Sequence, residues 1–195
     1  MRDTQGSNHH LISNVVWSST ANMSPDVRLD RLAPDDFAAI EALACTIWHE
    51  YYPAIIPVAQ IDYMLTHKYA PEQLAPFVDG PDRWFEVLRV NGEMAGFVRC
   101  LRESKREFKL MEIYLLQACR GRGLGRLMLD RADQLASAAG CSVITLTVNR
   151  ANTSAIATYR RAGYGIKQAC NFDIGHGFVM NDYVMEKRFD DVAST

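Results

Sequence analysis

The sequence predicts an α/β fold in which a mixed central β-sheet is flanked by helices on both faces. The segment 108–116 is apolar at odd and even positions alike, as expected of a central strand that is covered on both sides. Asn91-Gly92 joins two apolar segments and indicates an antiparallel hairpin. Further along the chain, strand-like and helix-like segments alternate, and two of the helices end at a glycine, Gly140 and Gly163.

The elements follow one another from a short first strand, where residues 27–32 alternate between apolar and charged side chains. A helix then begins at Pro34, where proline and two acidic residues suit a first turn. The aromatic residues at 49–57 either line a pocket or pack the next helices onto the sheet. The other expected elements are helices at 58–67, 71–77, 124–139 and 153–162, and strands at 84–90, 93–101, 108–116, 143–148, 164–173 and 178–189.

Length and composition limit the classes of protein to consider. The 195 residues fit one domain, predicted at 27–189, with a polar arm or tail at 1–26 and a short tail at 190–195. A net charge of −2 argues against nucleic-acid and anionic-membrane partners, and no apolar run approaches the ~18 residues of a membrane span. Five cysteines without Cys-x-x-Cys spacing predict neither disulfides nor a metal site. The first 25 residues make a poor signal peptide, so we expect a cytoplasmic protein.

A segment rich in glycine and arginine, residues 120–126, joins the strand at 108–116 to the helix that follows it. Its three glycines at alternate positions allow unusual φ angles and let a ligand approach the main chain closely. The first turn of the helix offers unpaired N–H groups and a dipole that favour an anion, above all phosphate. No Lys-Ser or Lys-Thr follows, which excludes a P-loop, and the glycine spacing excludes a dinucleotide-binding fingerprint.

Two spaced patterns in the second half of the chain resemble the signatures of one enzyme family. The first is Arg120-x-x-Gly123-x-Gly125, and the second is Asn152-x-x-Ala155-x-x-x-Tyr159-x-x-x-Gly163-Tyr164. In kind, order and separation they resemble the motifs of the GCN5-related N-acetyltransferases, the GNAT family. The resemblance covers roughly residues 27–189.

The resemblance implies a GNAT-like fold and acetyl-CoA as the cosubstrate. In that family the strands corresponding to 108–116 and 143–148 separate at their ends, and the pantetheine arm bonds to main chain there. Tyr159 matches the acid that protonates the departing thiolate; without the resemblance it would be a packed aromatic of a helix face. Asn152 is expected to cap its helix, to bond the arm, or both. The family often has a proline just past the first of these strands, and this chain lacks it. The residues expected at the cofactor are Leu115, Arg120, Gly121, Arg122, Gly123, Leu124, Gly125, Arg126 and Asn152.

Glu112 is the candidate base. An alkyl amine must lose a proton before it attacks a thioester, which costs about 4.6 kcal/mol at pH 7. A carboxylate in an apolar strand is costly unless it is paired, solvated or useful, and strand alternation places Glu112 on one face with Phe108, Leu110 and Tyr114. The alternative is that Glu112 only pairs with a neighbouring lysine or arginine. His49 and His176 are weaker candidates for substrate contacts.

The sequence therefore predicts an N-acetyltransferase acting on a primary amine, with a small molecule favoured over a protein as acceptor. The alternative is a non-catalytic acyl-CoA-binding sensor, which would keep the glycine segment but would not need Tyr159. A nucleic-acid-binding helix at 120–131 is disfavoured by the acidic net charge. We also expect a homodimer, joined by the apolar side chains of the closing strands, which are Phe178, Val179, Met180, Tyr183, Val184 and Met185.

Overall fold

The computed structural model describes residues 25–66 and 68–189. The expected terminal arm and tail lie outside the described residues, apart from Pro25 and Asp26, as does His67, the expected end of a helix. Asp26 is bound to the turn of the central hairpin, because its backbone N–H donates to Asn91 Oδ1 at 3.0 Å and its carbonyl accepts from the Asn91 N–H at 2.7 Å. The ordered fold therefore includes Asp26.

Within the described residues, seven strands form one mixed sheet in the order β1-β2-β3-β4-β5-β7-β6. The pair β4–β5 is parallel and the other neighbours are antiparallel. This confirms the predicted fold class. The strands are β1 (Val27–Arg31), β2 (Arg83–Val90), β3 (Glu93–Arg102), β4 (Glu107–Leu115), β5 (Val143–Asn149), β6 (Gly165–Gly175) and β7 (Phe178–Arg188).

Helices cover both faces of this sheet. The first helix packs Ile40, Leu43 and Ile47 into one core cluster with strand residues such as Phe85 and Phe97. On the other face, Met128 and Ile156 belong to a larger cluster that contains the opposite side chains of the sheet. The helices are α1 (Phe37–Tyr51), α2 (Val58–Leu65), α3 (Pro71–Leu74), α4 (Leu124–Ala138) and α5 (Thr153–Arg161), with 3-10 turns at Pro34–Asp36, Tyr52–Ala54, Ala75–Phe77 and Gln117–Cys119.

The parallel strands β4 and β5 separate along their length. They pair only at Glu107–Val143, Phe108–Ile144 and Lys109–Thr145, although β4 continues to Leu115 and β5 to Asn149. Beyond Lys109 each strand keeps its other neighbour, β3 or β7, but not the partner across the gap. The centre of the sheet therefore opens on the carboxyl side of these two strands.

A β-bulge in β4 overturns part of the predicted face assignment. Cys100 pairs with Leu110 and Arg99 pairs with Glu112, so Met111 is an extra residue in the ladder. Before the bulge Leu110 faces α4, whereas after it Glu112 and Tyr114 face α1 and α2. The expectation that all of these alternate residues share one face is wrong, because strict alternation does not survive an inserted residue.

Residues 25–66 and 68–189 contain neither a candidate membrane-spanning helix nor a candidate metal-binding cluster. None of the helices there has the length and apolar character needed to cross a bilayer. In the same part of the chain no cluster of three or more His, Cys, Asp or Glu side chains is arranged to hold a metal ion. All five cysteines are free thiols.

Candidate active site

The glycine segment forms a turn into the amino end of α4. Gly121 has a φ of 76° and Gly123 a φ of 80°, which a residue with a side chain adopts only with strain. Gly123 is the N-cap of α4, and no side chain caps the helix. The first intrahelical bond runs from the Leu127 N–H to the Gly123 carbonyl at 3.0 Å. The N–H groups of the first turn are thus left for a ligand or water, as the sequence predicts.

Gly125 has no structural reason to be glycine. It lies in the first turn of α4 at an ordinary helical φ, and a Cβ atom built there meets no atom of the described chain within 4 Å. A helix would be more stable with alanine at this position. The glycine is explained if something outside the protein approaches the backbone closely.

A cavity of ≈460 Å³ lies in front of this turn, and we call it the loop cavity. It is lined by three arginines, Arg120, Arg126 and Arg161, and by no acidic side chain, so it suits an anion. Of the residues predicted to hold the cofactor, Arg122 and Leu124 do not line the cavity, and the Leu124 side chain is buried in the core. Tyr51 and Tyr52 also line it and belong to the aromatic segment at 49–57, for which a pocket wall was one expectation. Sequence reasoning missed other lining residues, which include Ser154, Thr158 and Arg161.

Arg120 closes part of the loop cavity from the side of β4. Its Nε donates to the Leu115 carbonyl at 3.3 Å, and its guanidinium lies 4.4 Å from the centre of the Tyr51 ring. Leu115 was expected to offer backbone groups to a cofactor, but its carbonyl is bonded to Arg120 in this structure. Because a carbonyl oxygen has two lone pairs, a ligand can bond to the Leu115 carbonyl beside Arg120 or in its place.

Asn152 caps α5, as one of the two predicted roles requires. Its Oδ1 accepts from the Ala155 N–H at 3.2 Å and from the Tyr51 hydroxyl at 2.8 Å, and the residue is buried. The second bond joins the end of α1 to the start of α5 across the open centre of the sheet. Both elements line the loop cavity, so Asn152 helps to fix its width.

Tyr159 lies where the loop cavity meets a second cavity of ≈250 Å³. Burial, followed by the nearby Tyr52 and Tyr51, raises the pKa of Tyr159 well above its usual value, so the hydroxyl stays protonated at neutral pH. Its ring is partly buried against the core under α4 and α5. The walls shared by the two cavities are Tyr52, Ile113, Tyr114, Asn152 and Tyr159.

The second cavity, called here the strand cavity, occupies the gap between β4 and β5 on the side of α1 and α2. Aromatic and apolar side chains make up much of its wall, including Trp48, Ile56 and Met180. It also holds three charged residues, Lys68, Glu112 and Asp182. The aromatic segment at 49–57 does contribute a wall here through Tyr52, and that ring also stacks on Trp48 with centroids 4.7 Å apart. Both alternatives for these aromatics therefore apply.

Glu112 lines the strand cavity and is also paired. Its Oε1 lies 2.9 Å from Lys68 Nζ and 3.8 Å from Arg99 Nη1, and the Tyr69 hydroxyl donates to Oε2 at 3.3 Å. Only 4% of the residue is exposed. The pairing that the sequence left open as an alternative is present, and it explains how a carboxylate can be buried at this position.

Asp182, on β7, is a second buried carboxylate of the strand cavity that sequence reasoning missed. Its signal in the sequence is weaker than that of Glu112, because β7 also carries Asn181, Glu186, Lys187 and Arg188.

The two histidine candidates lie apart from Glu112 and Tyr159. His49 bridges α1 to α2, because its Nε2 lies 2.9 Å from Asp62 Oδ1 while its Nδ1 lies 2.9 Å from the Cys45 carbonyl. His176 is in the β6–β7 turn at a φ of 54°, with its ring 4.7 Å from that of Tyr63. Neither histidine lines the loop cavity or the strand cavity.

Known proteins similar to this chain share one kind of activity in their names. The acetyltransferase (GNAT) family matches residues 41–164. An uncharacterised N-acetyltransferase of Methanocaldococcus jannaschii is 34% identical over 90 residues, which cover 43% of this chain and 40% of that protein. The streptothricin acetyltransferase of Streptomyces lavendulae is 28% identical over 96 residues, which cover 49% of each. The chain thus spans less than half the length of these two curated relatives.

Solved structures also resemble this fold. The PaiA N-acetyltransferase of Thermoplasma acidophilum, in complex with coenzyme A, superimposes with a TM-score of 0.71 over 86% of this chain and 100% of that one. Its sequence identity is 21%, so this likeness concerns the fold.

Proposed function

Because the chain belongs to the acetyltransferase (GNAT) family, we propose that it transfers the acetyl group of acetyl-CoA to a primary amine of a small-molecule acceptor. The observation that carries the proposal is the meeting of two chemically different cavities at Tyr159. One is lined by arginines and an uncapped helix end, and the other contains carboxylates and aromatic rings.

The loop cavity suits the phosphates of acetyl-CoA. Backbone N–H groups from 121 to 126 would hold the pyrophosphate, with Arg120 and Arg126 adding charge. The open space above Gly121, Gly123 and Gly125 fits a ligand lying against the main chain. When bound there, acetyl-CoA supplies an activated acetyl group as a thioester. The gap between β4 and β5 leaves unpaired backbone groups on both strands for an extended arm such as pantetheine.

Two side chains would transfer the protons of the reaction, one from the acceptor ammonium and one to the departing sulfur. Glu112 would take the proton of the acceptor ammonium, directly or through water, and would relieve much of the ~4.6 kcal/mol needed to deprotonate it at pH 7. Tyr159 would donate a hydrogen bond and then a proton to the departing sulfur. Its raised pKa keeps the hydroxyl protonated at neutral pH and also makes it a weaker acid than an exposed tyrosine.

The test is a panel of primary amines with acetyl-CoA, in which transfer is measured as free thiol. Calorimetry should give specific acetyl-CoA binding that is lost in a folded Gly123→Val/Gly125→Val double variant. Glu112→Gln should shift the lower limb of the pH–rate profile. Unchanged cofactor affinity in the double variant would overturn the cofactor assignment. Tight binding without turnover on any amine would instead favour the acyl-CoA sensor.

The protein is further proposed to be a cytoplasmic homodimer. Five free thiols agree with a reducing compartment. For the dimer, Tyr183 and Met185 are unavailable because they pack in the protein's own core, and Met180 lines the strand cavity. Phe172 is exposed but also lines the strand cavity, so the apolar surface left for a partner on β6 and β7 is that of Ile166 and Val179.

A further inference from the structure

The carboxylate of Asp182 is buried and forms no direct ion pair or hydrogen bond with the described residues. Only 5% of the residue is exposed, and its Oδ1 is shielded from solvent without a hydrogen-bond partner. Among the described residues no ion pair reaches the carboxylate either. Arg150 donates to the backbone carbonyls of Asp182 and Cys170 and to Asn171 Oδ1, so its hydrogen bonds go elsewhere. An unpaired buried charge is costly and calls for an external partner.

The Asp182 side chain faces the strand cavity. The next residue, Tyr183, and the later Met185 pack into the core under α4 and α5. Side chains alternate along a strand, so Asp182 and Met180 project to the opposite face, and both line the cavity. Burial raises the pKa of Asp182, and the positive charge of Arg150, which is not in contact with the carboxylate, offsets only part of that rise.

Asp182 differs in this from Glu112, the other carboxylate of the same cavity. Glu112 already has Lys68 and Arg99 beside it, whereas among the described residues Asp182 has no cation within ion-pair distance and only the more distant charge of Arg150. A carboxylate that bound the reacting ammonium without accepting its proton would stabilise the protonated form and oppose attack. The Asp182 carboxylate is therefore suited to bind a positive charge that stays on the acceptor throughout the reaction.

We propose that Asp182 binds a second cationic group of the acceptor, so that the preferred substrate is an amine carrying another positive charge at a short distance. This rests on the proposed acetyl transfer. The cavity of ≈250 Å³ equals the liquid volume of about eight waters, which is enough for a short alkyl diamine of six heavy atoms.

The experiment compares 1,4-diaminobutane with n-butylamine, which differ at the far end by one ammonium group. With the full chain and acetyl-CoA, we expect kcat/KM to be roughly 10- to 100-fold higher for the diamine, the range of hydrogen bonds to charged groups. Asp182→Asn should raise KM for the diamine by that factor, leave kcat within about 3-fold and leave n-butylamine unaffected.

Glu186→Gln is the matched control, because it removes the same charge from the same strand at a residue that lines neither cavity. It should keep the preference for the diamine. Equal loss of kcat for both amines in Asp182→Asn, or an unchanged preference, would overturn the proposal. Calorimetry with 1,4-diaminobutane alone tests the role of Asp182 separately from the proposed acetyl transfer. If Asp182 binds the second cation, the diamine binds wild type more tightly than Asp182→Asn even if no acetyl group is transferred. If wild type neither binds acetyl-CoA nor acetylates either amine, that result contradicts the proposed function but not the binding role of Asp182.

Discussion

Gly125 is a residue at which the needs of the fold and of a ligand oppose each other. Gly125→Ala should raise the free energy of unfolding, by up to about 1 kcal/mol, since a helical alanine costs less chain entropy and its Cβ meets no other atom within 4 Å. The same methyl group should weaken acetyl-CoA binding by about 1–3 kcal/mol, because it occupies the space of the phosphates. Urea denaturation and calorimetry measure the two effects.

A suitable control is Gly165→Ala on β6, another position with open space and no positive φ, outside both cavities. It should leave cofactor affinity unchanged. If Gly125→Ala binds acetyl-CoA as tightly as wild type, the phosphates lie elsewhere.

The second prediction for a single residue concerns Tyr159. Tyr159→Phe keeps the ring and removes the hydroxyl, so turnover should fall by roughly 10- to 1,000-fold while acetyl-CoA affinity changes little. Tyr164→Phe is its control, since that ring lies 6.0 Å away in the same core and lines neither cavity. Steady-state kinetics with a reactive acceptor provide the measurement, and full activity in Tyr159→Phe would exclude the acid role.

Between elements, the contact of α1 with α2 should depend on pH through His49. Hydrogen bonds to the Cys45 carbonyl and then to Asp62 raise the pKa of His49 above its usual 6.5. The stabilisation is therefore complete below pH 6.5 and is lost as the pH rises through the higher pKa of the folded state. The pair is exposed, so screening by solvent limits the effect to about 0.2–1 kcal/mol.

The measurement is the free energy of unfolding as a function of pH. The difference between wild type and His49→Gln should be larger at pH 6 than at pH 9. Asp62→Asn should reduce that pH dependence without abolishing it, because the Cys45 carbonyl remains. A difference that is the same at both values would show that His49 does not titrate in this way.

For the whole molecule, the proposed homodimer predicts the mass of the protein in solution. Light scattering at micromolar concentration should give twice the monomer mass, and Val179→Glu should lower it because a charge would be buried in the interface. Val58→Glu changes another exposed valine, on α2, and should leave the mass unchanged. A monomer mass for wild type would contradict the dimer.

At the same scale, the parts of the fold that the sequence predicts are those set by local chemistry. The hairpin at Asn91-Gly92, the turn into α4 and the Asn152 cap depend on residues that are close in the chain. The bulge at Met111 and the Arg120–Leu115 bond depend on neighbours brought in by the fold, and no period in the sequence encodes them. Asp182 was missed for a related reason: its isolation becomes visible only when the charges around it are placed.

The gap between β4 and β5 also bears on how the protein avoids aggregation. An unpaired strand edge on the outside of a sheet is a template on which another chain can add a strand. Here the open edges lie in the middle of the sheet, with α1 on one face and α4 on the other. A narrow extended molecule can reach them, but a strand of a second folded protein cannot. The protein can therefore keep backbone groups ready for pairing without offering them to its neighbours in solution.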